Sequence, residues 1–359
     1  MKLVDLFCGC GGFSLGAHQA GFEVVSAYDI DPNLTHSFER NFPNTRLHLK
    51  DVSRLTGAQL LLSAGGQIDG IFGGPPCQGF SDIGRRAVDD PRRQLLGHFF
   101  RLVAEVRPTF FIMENVRGLA QSGARQVLED ALKLVRDRYQ LLGPMVLDAA
   151  DFGAPTKRRR LFVIGLHKDR SDPLQADDVL AGRRRAATVR DALTDLIGAV
   201  RVGDEEGYDV WRFGRRGRPS AYAQAMRSID RRFTGNRLTV HAPVIAERFA
   251  KLDPGAIDPV GRHPKLAWEG QCPTLRAGTG ADRGSYQAVR PIHPGEPRVI
   301  TVREAARLQG FPDAHRFHPT LWHSFRMIGN SVSPVIAREL FVAIAKKLTF
   351  DPRVTLAAE

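Results

Sequence analysis

In GGPPCQGFS (73–81), a thiol stands directly behind two prolines. It lies just past the apolar run IDGIF, whereas a packing cysteine would lie inside such a run. Pro75 and Pro76 restrict the backbone and could hold Cys77 at the start of an exposed loop. A free thiol, with a pKa of about 8.5, is only a few per cent thiolate at neutral pH and needs activation or a well-aligned electrophile. Glu114, in MENV (113–116), offers the complementary group. A carboxyl kept protonated by burial can donate a proton or a hydrogen bond. Thiol attack paired with carboxyl protonation is the chemistry that activates an electron-poor ring carbon. The other cysteines, Cys8, Cys10 and Cys272, read as small buried hydrophobes. The four are too scattered for a disulfide framework, and no CxxC pair suggests a metal.

A second constellation lies near the start. Gly9-Cys10-Gly11-Gly12-Phe13-Ser14 begins like a dinucleotide fingerprint but has Ser14 at the third glycine position. Such a loop lets backbone approach a ligand closely yet lacks the full pyrophosphate pattern. Asp29 follows Gly9 by twenty residues, the separation of an acid that accepts from ribose hydroxyls. A nucleoside without a pyrophosphate fits both facts, and S-adenosyl-L-methionine is the candidate.

These residues need elements to position them. Strand-like runs are LVDLF (3–7), EVVSAY (23–28), RLHL (46–49), GIF (70–72), FFIM (110–113) and LFVIGL (161–166). Helical patterns lie between, at 32–41, 94–106 and 124–138, and return at 302–310 and 333–348, where Pro334 suits a first helical position. The alternation predicts an α/β fold, a parallel sheet covered by helices on both faces. In such a sheet ligands bind beyond the carboxyl ends of the strands. The glycine loop, Asp29, Asp51, Pro76-Cys77 and Glu114-Asn115 each follow one run, so one rim would gather them. From about residue 183 the texture turns irregular and rich in Arg, Gly and Pro, which predicts a second, smaller domain.

The chain of 359 residues is 43% hydrophobic, with a mean hydropathy of -0.23. It has no run of eighteen apolar residues and no signal-peptide pattern, so a cytoplasmic protein with no membrane partner is expected. Its net charge is +12, and residues 181–240 hold thirteen Arg against seven acids. Arginine suits bidentate contacts with phosphate and guanine. On charge alone a solvated basic face is an equal reading.

With these residues in view, the chain resembles the bacterial DNA (cytosine-5)-methyltransferases from about residue 3 to residue 340. The motifs stand in that family's order: DLFCGCGGFSLG (5–16), GGPPCQGFS (73–81), MENVRGL (113–119), DFGAPTKRRRLFVIG (151–165), TVREAARLQGFP (301–312) and IGNSVSP (328–334). The resemblance implies a Rossmann-like S-adenosylmethionine-dependent sheet, 1–185 with 325–359, and a target-recognition domain at 186–324. It implies that Cys77 attacks C6 of cytosine, Glu114 supports protonation of the ring, and Asn115 braces the loop carrying Cys77. Arg160 would contact the base's O2 and Arg158 a nearby phosphate, with Arg85 or Arg86 near the DNA backbone. Around the cofactor it places Phe7, Gly9, Cys10, Gly11, Gly12, Asp29, Ile30, Asp51, Val52, Pro76, Leu95, Asn330 and Ser331. S-adenosyl-L-homocysteine would be the product. The expected partner is double-stranded DNA, bound by a monomer with the target base swung out of the helix. The sequence leaves open whether a cognate restriction endonuclease accompanies it. Two further readings stand beside this one: a catalytically silent sequence-specific DNA-binding protein, and a nicotinamide-dependent oxidoreductase suggested by the glycine loop and Asp29.

Overall fold

The computed structural model describes residues 1–76, 94–214, 219–278 and 290–348. Cys77, Arg85 and Arg86 lie outside the described residues. The central sheet is built from β1 (Lys2–Leu6), β2 (Glu23–Asp29), β3 (Arg46–Leu49), β4 (Gly70–Gly73), β5 (Phe110–Asn115), β6 (Tyr139–Asp148) and β7 (Arg159–His167). Its order is β3-β2-β1-β4-β5-β7-β6. Strands β1 to β5 pair in parallel, and all six expected runs are strands. The wholly parallel expectation is corrected at one edge, because β7 runs antiparallel to both β5 and β6. An antiparallel partner needs no crossover helix, so the chain returns directly from β6 into β7. Strand β6 escaped the sequence reading because Gly143-Pro144 interrupts it, where the register shifts between Leu142 and Met145.

Order reverses between β1 and β4, so a crevice opens at the carboxyl ends of these strands. Both faces of the sheet are covered. On one, helix Gln94–Val106 buries Phe99, Phe100, Leu102 and Val103 against Ile71, Phe111 and Val163. On the other, Phe13, Phe22, Phe72, Phe110 and Phe341 form an aromatic cluster. Here helix Gly12–Gln19 lies on helix Pro334–Ala345, and a side chain at Gly16 would overlap Ala337. The C-terminal helix thus returns to the first part of the chain and opens on Pro334, as its sequence suggests. By length and composition Leu321–Ala345 could cross a membrane, but 67% of its most apolar stretch is buried inside the protein.

The helix expected at 32–41 is reduced to Phe38–Asn41. Asp31 Oδ1 accepts from the backbone N–H groups of Asn33 and Leu34, and this local turn competes with helix. The helix expected at 124–138 is observed as Ser122–Leu132. Within the irregular stretch a small antiparallel sheet forms from β8 (Val200–Glu205), β9 (Tyr208–Arg212) and β10 (Arg232–Thr234). It shares a third core with helices Val189–Leu193, Val302–Gln309 and Leu321–Asn330, and Cys10 of the glycine loop packs into that same core.

Candidate active site

A cavity of about 900 Å³ opens where β1 to β5 end. From β1 the chain turns at once: Phe7 takes φ +67°, and the N–H groups of Phe7 and Cys8 both donate to the Tyr28 carbonyl, at 2.8 and 3.0 Å. Gly11, at φ +81°, precedes helix Gly12–Gln19; a side chain there would overlap Phe42. Gly11 therefore faces away from the cavity, while Phe7, Gly9, Cys10 and Gly12 line it. Ser14 replaces the third glycine of a dinucleotide loop for a visible reason. Its hydroxyl donates to the buried Asp5 at 2.5 Å, while the other Asp5 oxygen, Oδ1, is buried with no hydrogen-bond partner among the described residues.

Asp29 ends β2 with both oxygens engaged: Oδ2 accepts from Gly9 N–H and Oδ1 from Asp31 N–H, each at 2.9 Å. Burial pushes this carboxyl above its ordinary range. Each oxygen keeps a second lone pair for a hydroxyl donor. Ile30 beside it is 67% exposed, an apolar surface without a cover of its own. Asp51 caps the turn Val52–Arg54 by accepting from Ser53 N–H at 2.9 Å, and these Ser53 bonds hold it below the usual carboxylate range. Asp51 and Val52 line the cavity with Pro76, Leu95, Asn330 and Ser331, the last two arriving from the end of helix Leu321–Asn330.

At the cavity's other side Glu114, the last residue but one of β5, is buried with its Oε1 3.0 Å from Arg160 Nε. Burial raises its pKa, and the nearby Arg160 and Arg158 oppose that shift without overcoming it. Gly74 makes room: a Cβ there would stand 2.9 Å from Glu114 Oε2. Asn115 Nδ2 donates to the Pro75 carbonyl at 3.2 Å, and Asn115 Oδ1 accepts from Val116 N–H at 2.8 Å. The chain leading to Cys77 is thereby tied to β5 as far as Pro75.

Arg158 departs from expectation. It is 2% exposed and donates to the carbonyls of Leu275 (3.4 Å) and Gly329 (3.0 Å), so a phosphate contact does not fit its position. The side chain knits two distant segments behind the cavity wall. The two arginines that follow it behave differently: Arg159 meets Asp148 at the surface and Arg160 reaches the cavity. Cys10 is buried and its thiol is pushed up to about 12 by burial, which leaves it inert.

Sequence reading missed Asp5, Asp31, Leu34, Lys50, His98 and Arg326, all of which line the cavity. His98 could have been found, since it lies one helical turn beyond Leu95. Arg326 could not: it pairs with Asp31 at 3.1 Å across 295 residues of chain. The described lining carries carboxyl groups at Asp5, Asp29, Asp31, Asp51 and Glu114 beside Lys50, Arg160 and Arg326, with Asp5, Asp29 and Glu114 pushed toward the neutral form by burial. Its carboxyl oxygens suit a ligand with hydroxyl donors.

Comparison with known proteins agrees with this architecture. The family model described as C-5 cytosine-specific DNA methylase matches residues 1–346. The Type II methyltransferase M.XorII of Xanthomonas oryzae is 44% identical, over 97% of this chain and 85% of that protein. M.DdeI of Desulfomicrobium norvegicum, also a Type II methyltransferase, is 31% identical over 95% of this chain and 87% of its own length. A solved structure described as a DNA modification methyltransferase encoded within an Escherichia coli prophage superposes with a TM-score of 0.84. It is 38% identical, covering 96% of this chain and 99% of that one. The S. pombe Dnmt2 methyltransferase, 18% identical with a TM-score of 0.66, shares the fold.

The seven-stranded mixed sheet is thus that of the S-adenosylmethionine-dependent methyltransferase fold. The chain belongs to the C-5 cytosine-specific DNA methylase family and is a DNA (cytosine-5-)-methyltransferase. The oxidoreductase reading falls with that finding.

Proposed function

We propose that this enzyme transfers a methyl group from S-adenosyl-L-methionine to C5 of a cytosine swung out of double-stranded DNA. The observation that carries the reading is one cavity lined by two chemistries, Asp29 and Asp51 at the ends of β2 and β3, and Glu114 with Arg160 beyond them. The residues fit the donor. Asp29 would accept from ribose hydroxyls, Ile30 would pack on adenine, and Asp51 and Val52 would read its edge. The unpartnered Asp5 Oδ1 marks a place for a donor group. Phe7, Gly9, Cys10, Gly12, Pro76, Leu95, Asn330 and Ser331 would form the remaining wall, with Gly11 shaping the turn. When bound, the sulfonium supplies an electrophilic methyl group.

The protein's residues would do the rest. Cys77, which follows Pro76 in the chain, would attack C6 while Glu114 protonates N3, making C5 nucleophilic. Arg160 would hold the base's O2, and Asn115 would steady the approach to Cys77. Loss of the C5 proton to a base after methylation would expel the thiolate and restore the ring. Residues 186–324 would read the DNA sequence, and 1–185 with 325–359 would carry the chemistry. We read the protein as a monomer on DNA in the cytoplasm, and the Type II relatives favour a restriction-modification role beside an independent endonuclease.

DNA containing 5-fluorocytosine tests this directly, since fluorine cannot leave as a proton does. The native enzyme with S-adenosyl-L-methionine should form an adduct that survives denaturing electrophoresis, and Cys77→Ser should form none. An adduct of equal yield from the variant would exclude Cys77 as nucleophile. Absence of methyl transfer to any unmethylated DNA would favour the silent DNA-binding reading.

A further inference from the structure

The carbonyl of Cys10 is buried in the glycine loop, and among the described residues no backbone N–H donates to it. A buried carbonyl without a partner is costly. The nearest group is the ring of His315, whose Nε2 lies 3.0 Å away. His315 is buried against Phe311, Phe317 and Phe42, and burial pushes its pKa down to about 3, so it is neutral under working conditions. A neutral imidazole has one N–H, and a carbonyl can only accept; the proton therefore sits on Nε2. Asn41 Nδ2 stands 3.2 Å from the same nitrogen but is engaged elsewhere. It donates to the Arg316 carbonyl at 2.8 Å and to Ser37 Oγ at 3.5 Å, while Asn41 Oδ1 accepts from Arg316 N–H at 2.9 Å.

We propose that His315 is a positioning residue for the methyl-donor site: its ring N–H holds the Cys10 carbonyl and so fixes the glycine loop that walls the cavity. The need for such a lock follows from the loop itself. Gly9, Gly11 and Gly12 surround Cys10, and glycine-rich backbone loses the most freedom on ordering. The peptide after Cys10 is pinned on both sides, by Gly11 N–H to the Cys8 carbonyl at 2.8 Å and by His315 at the carbonyl. His315 is itself anchored, because buried Arg303 donates to its carbonyl at 2.8 Å, to Pro312 at 3.0 Å and to Thr234 of β10 at 3.0 Å. The loop is thereby tied to the small sheet. As a role in methyl transfer the inference rests on S-adenosyl-L-methionine being the ligand; as a restraint on the loop it does not.

The test compares His315→Phe and His315→Met, which fill the space without a donor, with His315→Gln, whose amide can donate. Dissociation constants for S-adenosyl-L-homocysteine are measured by calorimetry, alongside thermal melting and amide hydrogen exchange at residues 9–12. The donor-less variants should bind about tenfold more weakly, the scale of one buried hydrogen bond. Their loop amides should exchange faster, and His315→Gln should restore both. Native affinity and native exchange in a folded donor-less variant, or a His315→Gln as impaired as His315→Phe, would overturn the proposal. If the native protein binds neither the thioether nor the sulfonium, the donor reading fails, and loop exchange alone decides the role of His315.

Discussion

Glu114 sits under opposed influences, burial favouring its neutral form and two arginines favouring the charged one, with burial prevailing. The sign sets a pH dependence. A carboxyl with a raised pKa keeps its proton above the ordinary glutamate range and loses it as pH climbs through the shifted value. If Glu114 supplies the proton to the ring, its contribution to kcat is full below that value and declines above it. Glu114→Gln keeps a hydrogen bond but has no proton to transfer. A fall in kcat of about 100-fold or more is expected, with loss of the basic limb that Glu114 causes, in a pH–rate profile. A variant with native kcat at every pH would remove Glu114 from the chemistry. The arginines nearby show how little residue type says alone, because Arg158 and Arg160 are two residues apart and only one reaches the cavity.

Helix Val302–Gln309 shows the same lesson for an element. The TVRE start is a capping box, usually a surface device worth about 1 kcal/mol. Here Thr301 and Glu304 bond reciprocally, and every residue of the helix is buried. Glu304 also takes a fork from Arg298, at 2.9 and 2.8 Å. Burial pushes the Glu304 carboxyl up, but Arg298, with His293 and Thr301, overcomes this and holds it below the usual range. A depressed pKa stabilises the fold above the ordinary carboxyl value, and that stability is lost as pH falls through the depressed one. Glu304→Gln leaves Arg298 buried with its main partner neutral, so a loss of about 3–5 kcal/mol at neutral pH is expected. In urea unfolding the gap from the native protein should narrow as pH falls through the carboxyl range. A gap independent of pH would mean the charge contributes nothing.

For the whole molecule, the count of 51 Lys and Arg overstates the cations free to meet DNA. Arg184 pairs with Glu339, Arg190 with Glu269, Arg201 with Asp204, Arg227 with Asp195 and Arg232 with Glu205. Arginines neutralised internally release few counterions from DNA. Arg276 differs: it is exposed, no acid pairs with it among the described residues, and its neighbours Leu275 and Ala277 pack beside the cavity wall at Arg158 and Gly329. Measured as log K against log salt, Arg190→Ala and Arg201→Ala should leave the slope of DNA binding unchanged, while Arg276→Ala should reduce it by about one. Equal slopes for all three variants would mean the ion pairs do not govern which arginines meet phosphate.

Six strands of the central sheet, and the residues set at their ends, were legible from the chain alone, because an uninterrupted strand and the turn after it are local; β6, broken by Gly143-Pro144, was not. An apolar run followed by Asp29, Asp51 or Glu114 puts a carboxyl on the rim whatever lies elsewhere. Tertiary structure decided the direction of β7, the burial of Arg158, the arrival of Arg326 opposite Asp31 and the seat of His315 behind Cys10. Each depends on segments far apart in the chain meeting in space, and no nearby pattern of residue types records such a meeting.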